Sequence, residues 1–247
     1  MVERLRTAGI PTTAHVRPDS DRVEEWERRF GELGARVDTT EWSEIAMTAT
    51  IARLEPTHVF ALLGTSRKRA RHSSWDEERR APYETVDYGL TSLLLRASVA
   101  SGIRPRFVYL SSLGADANAR NAYLRVRGRL ERELRDSGID FVVFRPSFIT
   151  GPDREERRVA ERVGAWATDA MVRIMELVKL GRFVRRLESI DARTLAGAMV
   201  AASMSADSAN AVFERDQLPR RGDPGALPSM AARVHPAGKP RTNGQGA

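Results

Sequence analysis

The stretch Arg106-Phe-Val-Tyr-Leu-Ser-Ser-Leu-Gly-Ala115 joins a short apolar run to two serines and a turn, and its reading decides the fold. A run this short and this apolar suits a strand buried on both faces, as in a parallel sheet covered by helices. Downstream, Tyr123-Leu-Arg-Val-Arg-Gly-Arg-Leu-Glu131 opens an amphipathic helix over residues 123–137, stopped by Gly138. Residues 141–144 form the next strand, which closes on Arg145-Pro146-Ser147. Strand, helix, strand in this order is the unit of a parallel sheet with crossover helices.

The same alternation extends upstream. Residues 12–16, 36–39 and 58–63 are predicted strands. Helices are predicted from the Asp19 or Ser20 cap to about residue 33, over residues 43–54 and over residues 84–101. The polar stretch 65–82 is predicted to be a long loop over the strand ends. Beyond Gly151 the pattern becomes helical, with residues 159–180 and 192–203 clearest and Asp191 placed to cap the second of these. The fold class is therefore α/β, a Rossmann-like doubly wound parallel sheet with a small helical C-terminal lobe. The predicted organisation is a nucleotide-binding domain over residues 1–150, a substrate lobe over 151–214 and a disordered basic tail over 215–247.

Composition narrows the function. The 247 residues carry a net charge of +7, but the tail from Arg215 holds six Lys/Arg against two Asp/Glu, so most of the excess lies outside the predicted core. Arg67, Lys68, Arg69 and Arg71 are followed at once by Asp76, Glu77 and Glu78, without interleaved aromatics, so no nucleic-acid partner is expected. No apolar run approaches the ~18 residues that cross a bilayer, and no transmembrane segment is expected. Segment 164–186 is amphipathic and is read as packing over the substrate pocket, with membrane-surface contact as the alternative. Cysteine is absent, which excludes thiolate metal sites and a cysteine nucleophile. The four histidines are scattered without ligand spacing, so no metal site is predicted. The first residues lack the apolar core of a secretory signal, and the expected location is cytoplasmic.

In an open parallel sheet, ligands gather at the carboxyl ends of the strands. Ser111 and Ser112 end one strand, and Pro146 and Ser147 end the next. Tyr123 and Arg127 share a helical face, where a positive charge favours phenolate and makes tyrosine a usable acid or base. Alone, that spacing also occurs on solvated helix faces. Its position after a serine-ended strand gives it weight, because a serine can hold a carbonyl while tyrosine gives a proton and a nicotinamide supplies hydride.

The segments quoted above, with Phe144-Arg-Pro-Ser147, resemble the core of atypical short-chain dehydrogenase/reductases. The type they are most similar to is the NAD(P)H-binding proteins related to NmrA and to the Tat-interacting oxidoreductase. The resemblance spans residues 12–203. It implies a catalytic serine and tyrosine at Ser111 or Ser112 and Tyr123, with Ser112 taken as the carbonyl orienter, and it places Arg127 where the family's lysine stands. Arginine keeps the charge but has a wider planar head, which puts turnover in question. Cofactor contacts are expected from Arg17, Leu63, Gly64, Thr65, Ser111, Pro146 and Ser147, with Gly64 allowing close backbone approach. A basic Arg17 at a strand end can pair with a 2′-phosphate, so NADP is expected, with NAD the alternative. An ordinary turn arginine is the competing reading.

The resemblance also implies an opening strand and glycine-rich turn that bind the pyrophosphate. Neither precedes the first predicted strand; residues 1–10 read instead as the end of the helix that follows such a turn. A misplaced start and a degenerate relative are the two explanations, with the first preferred. The expected function is an NAD(P)-dependent oxidoreductase acting on a small molecule. The alternatives are a non-catalytic NAD(P)-binding regulator and a truncated form that binds no cofactor.

Overall fold

The computed structural model describes residues 1–64, 83–151 and 187–219, together with strand residues 233–234. Thr65, the predicted loop 65–82, the predicted helix 159–180 and segment 164–186 lie partly or wholly outside the described residues. Helix α1 (Val2–Thr7) leads into β1 (Thr13–His15), then α2 (Val23–Glu32), β2 (Arg36–Asp38), α3 (Glu44–Leu54) and β3 (His58–Ala61). A π-helical segment, Tyr83–Leu90, runs directly into α4 (Thr91–Ala100). Then follow β4 (Arg106–Leu110), α5 (Ala122–Asp136), β5 (Phe141–Arg145) and the two-residue strands β6 (Ile149–Thr150) and β7 (Ile190–Asp191). Helix α6 (Ala192–Met204), β8 (Ala211–Glu214) and β9 (Arg233–Val234) complete the described chain.

The main sheet has the order β3-β4-β5-β8-β9, parallel except for the antiparallel last pair. Its register brings the carboxyl ends of the strands together: Leu110 lies opposite Phe144, and Arg145 opposite Glu214. Strands β1 and β2 form a separate parallel pair. Among the described strands no ladder joins β1 to β3, which is where the resemblance expects the absent opening strand. The described strands therefore form three sheets, the main one and the parallel pairs β1-β2 and β6-β7.

Side-chain alternation along the strands builds two cores. Val108, Val142 and Phe144 face Leu195, Ala198 and Met199 of α6, with Ala211 and Phe213 beside them. Phe107, Tyr109, Phe141 and Val143 face the other way, onto Leu95 of α4 and Leu130 and Leu134 of α5. Successive strand residues point to opposite faces, so a strand covered on both sides is apolar where it is covered, as β4 is over residues 107–110 and β5 over residues 141–144.

Residues 192–218, read from sequence as lobe and start of the tail, thus furnish the second covering layer and a further strand of the sheet. Asp191 caps α6 as expected, its carboxylate accepting from the backbone N–H groups of Arg193 and Thr194. Arg215 is 1% exposed and donates to the carbonyls of Glu188 and Ser189 at 2.7 and 3.0 Å. Its guanidinium ties the segment after β8 to the approach of β7. Strand β8 escaped the sequence reading because four residues between Asn210 and Arg215 show no periodicity of their own.

Candidate functional site

Strand β4 delivers Ser111 and Ser112 to the end of the sheet, and the backbone there is held on both sides. The Ser111 N–H donates to the Phe144 carbonyl at 2.8 Å, and the Leu113 N–H to the Pro146 carbonyl at 2.9 Å. The loop that follows rides on the first turns of α5. A Cβ at Gly128 would come within 2.2 Å of the Asp116 carbonyl carbon and 2.3 Å of the Ala117 nitrogen, so only glycine lets loop and helix meet. Asn121 caps α5 by accepting from the Leu124 N–H, and the Asp116 N–H donates to the Leu124 carbonyl. The Ser112 carbonyl accepts from the Ala115 N–H at 3.1 Å, and through Asp116 this turn is joined to the start of the helix that carries Tyr123.

The two serines have different surroundings. Ser111 is 4% exposed, and its hydroxyl donates to Glu131 at 2.6 Å. Glu131 is itself buried and also accepts from Arg145 and Arg135, while Arg145 reaches Glu214 at 3.4 Å. Ser112 is half-buried, and the described hydrogen bond of its hydroxyl is a long 3.4 Å contact to the neighbouring Leu113 carbonyl. Pro146 is buried, and the Ser147 hydroxyl donates to the Glu188 carbonyl. The Ser111–Glu131–Arg145 network went unseen in the sequence, although Glu131 stands four residues after Arg127 on the same helical face.

Arg127 is 4% exposed and fully engaged at its tip. One terminal nitrogen donates to the Leu110 carbonyl at 2.7 Å and the Tyr109 hydroxyl at 3.3 Å. The other donates to the Leu63 carbonyl at 3.0 Å and to the Asp87 carboxylate. Its guanidinium carbon lies 5.1 Å from the centre of the Tyr123 ring, over the face of the ring. Burial works against the Arg127 charge, but Tyr109, Tyr123 and Asp87 around it outweigh burial and hold the guanidinium above its ordinary pKa. Burial pushes the Tyr109 phenol up, out of the range of acid–base chemistry near neutrality. Tyr123 is half-buried, with Tyr83 against it at a ring distance of 5.5 Å.

At the other end, Arg17 follows β1 and is half exposed, with Asp19 3.6 Å away. It borders a cleft of about 330 Å³ lined also by His15, Val16, Ser20, Trp26 and Phe30. These residues fit the adenosine end of a dinucleotide: a cation beside an aromatic wall, at the carboxyl end of a parallel strand. Gly64 is exposed, and Leu63 is half-buried with its carbonyl turned to Arg127. A Cβ on Gly64 would lie 2.9 Å from an Arg127 terminal nitrogen, so the close approach this glycine permits is to Arg127. Among the described residues there is no group of three or more His, Asp or Glu that could hold a metal ion.

A parallel sheet covered by helices on both faces, with serine, tyrosine and arginine side chains gathered near its strand ends, is the architecture of a Rossmann-like nucleotide-binding protein. Residues 1–173 match the NAD(P)H-binding family, and the chain belongs to that family. It is 30% identical over 146 residues to protein fmp52, mitochondrial, of Emericella nidulans, covering 58% of this chain and 57% of that protein. It is 26% identical over 134 residues to the Candida albicans protein of the same name, covering 52% and 54%. The matched region thus spans a little over half the length of these curated relatives. Among solved structures, an oxidoreductase of the short-chain dehydrogenase/reductase family from Burkholderia thailandensis superposes with a TM-score of 0.57. It is 17% identical, with 83% of this chain and 80% of that one covered, and it shows the fold alone. The relatives' names overturn the cytoplasmic expectation, since they are mitochondrial proteins. The absence of cysteine does not separate the cytoplasm from the interior of an organelle.

Proposed function

We propose that this chain is an NADPH-dependent oxidoreductase acting on a small carbonyl compound, with Tyr123 as proton donor and Ser112 as the group that orients the carbonyl. The observation that carries this reading is the contrast between the serines. Ser111 is committed to a buried carboxylate, while the Ser112 hydroxyl makes only a long contact to the neighbouring carbonyl and can turn to a ligand.

When bound, the nicotinamide would supply the hydride. Ser112 donates a hydrogen bond to the substrate oxygen, and Tyr123 Oη gives that oxygen its proton. Leu63 and Pro146 bound the space at the strand ends, and Arg17 supplies the cation for a 2′-phosphate beside the aromatic wall of Trp26 and Phe30. Among the described residues no glycine-rich turn offers a pyrophosphate cradle, so the proposed contacts are those of the adenosine cleft and the strand ends.

The engagement of Arg127 by four acceptors favours a second reading, nucleotide binding without turnover, because its terminal N–H donors are taken up by groups other than the Tyr123 hydroxyl. Fluorescence titration of the purified chain with NADPH and NADH tests the shared part of both readings. NADPH is expected to bind more tightly, with the preference lost in Arg17→Ala; equal affinities in the unsubstituted chain would remove the 2′-phosphate assignment. Tyr123→Phe then separates the two readings. It should leave NADPH binding unchanged and abolish NADPH oxidation by carbonyl substrates, and survival of that oxidation would exclude Tyr123 as the acid.

A further inference from the structure

We infer that Asp87 is a positioning residue which, acting through Arg127, seats the ring of Tyr123 and ties together the ends of β3 and β4. The inference rests on the reading of Tyr123 as proton donor for its functional meaning, and on geometry for its content.

Asp87 is 1% exposed, in the middle of the π-helical segment. Such winding is rare and arises where a helix must aim one side chain out of the ordinary α register. Here it delivers a carboxylate to the strand ends, and the next helical turn secures it: the Thr91 hydroxyl donates to the Asp87 carbonyl at 2.9 Å. The carboxylate takes one terminal nitrogen of Arg127 and leaves the guanidinium plane only one orientation, since the same nitrogen also donates to Leu63 and the other to Leu110 and Tyr109. A planar head fixed at both tips cannot rotate. Its face becomes the floor on which the Tyr123 ring lies.

Gly64 completes the device. Any side chain there would press on the Arg127 terminal nitrogen at 2.9 Å and approach the Asp87 carboxylate at 3.6 Å. Arg127 is thus a wedge between β3, β4, the π-helical segment and Tyr123, its N–H donors held by Leu63, Leu110, Tyr109 and Asp87. Without its counter-charge a buried guanidinium seeks water. Gly64, against which the guanidinium lies, is exposed, and movement of the guanidinium toward it would withdraw the cation from the Tyr123 ring.

The test follows the tyrosine ring carbons by NMR in protein labelled at tyrosine, with the Tyr123 signal assigned by its loss in Tyr123→Phe. Asp87→Asn alone leaves a buried unpaired charge and is expected to cost stability. The double variant Asp87→Asn/Arg127→Met removes both charges and should restore much of it, as paired removal does for buried ion pairs. Gly64→Ala displaces the guanidinium from an exposed position with every charge intact. A shifted or broadened Tyr123 signal is expected in the double variant and in Gly64→Ala, with the Tyr88 signal changed less. A Tyr123 signal unmoved in folded Gly64→Ala or in the folded double variant would overturn the inference and leave the pair a stability element only. Titration of the same samples with NADPH keeps the two proposals apart. Failure of the unsubstituted chain to bind NADPH would remove the proposed function, whereas the clamp stands or falls on the tyrosine signal.

Discussion

The two ends of the site are built to different standards. Around β4, β5 and α5 the polar groups are sealed in: Ser111, Glu131, Arg127 and Asp87 are each under 5% exposed, and apolar side chains surround them. Around β1, β2 and α2 the structure is thin. Each strand there has three residues, α2 buries none of its side chains, and its contacts are surface ones such as the Arg22–Glu25 pair and the guanidinium of Arg29 over Trp26. The difference teaches that the strand-end half is set before any ligand arrives, while the cleft beside Arg17 has room to adjust. Preorganisation is most valuable where charge moves, and adaptable packing suffices where a ligand is merely gripped.

The largest break in that comparison should come from Glu131→Ala. It strips Ser111, Arg135 and Arg145 of their shared acceptor and leaves Arg145 only its longer contact to Glu214, at an expected cost of about 3–5 kcal/mol by chemical denaturation. A cost below about 1 kcal/mol, the figure for exposed pairs, would show that the strand-end half is no tighter than the other. Next comes Gly128→Ala, which forces a Cβ against loop backbone that cannot yield cheaply. A loss of about 1–3 kcal/mol is expected, with faster amide exchange in residues 112–117. Trp26→Ala, in the thin half, should cost only about 1 kcal/mol; a loss matching that of Glu131→Ala would abolish the distinction.

The smallest effect concerns pH. Burial lowers the pKa of His58 below its ordinary 6.5, against the opposing hydrogen bond with the Ser203 carbonyl. The unfolded chain then holds more protons than the folded one between the lowered value and 6.5, so stability rises with pH across that window and falls as pH drops through it. Replacing His58 with Gln should flatten that part of a pH–stability curve, and an unchanged slope would assign it to other groups.

Much of the strand-end half was legible from residue order. The runs of β4 and β5, the helix opening at Tyr123 and the Asp191 cap are local patterns of apolar spacing and capping chemistry. The identities of the polar partners were not legible. Arg127 meets Asp87 across 40 residues, and Ser111 meets Glu131 across 20, distances at which sequence carries no pairing signal. Ser111 and Ser112 were therefore nearly interchangeable on paper, and only burial separates their roles. The π-helical winding was equally hidden, since residues 84–101 show ordinary helical periodicity and the register change depends on where Asp87 finds its cation. Gly64 was noted for close approach, but the approaching group, Arg127, lies far along the chain.

The division of the sheet bears on how the two ends of a ligand are spaced. Where β1 and β3 share no ladder, their separation is held by helices: α1 packs on α6 on one face, and α3 packs on α4 on the other. Met1 at the head of α1 packs against the main core, while Arg6 further along donates to the carbonyls of Leu33 and Ile10 beside the smaller sheet. The pair acts as a splint whose stiffness comes from side-chain packing. On the proposed function, the stiffness of this packing would set the spacing between the cleft at Arg17 and the strand ends at Ser112, and so the length of ligand that both could hold at once.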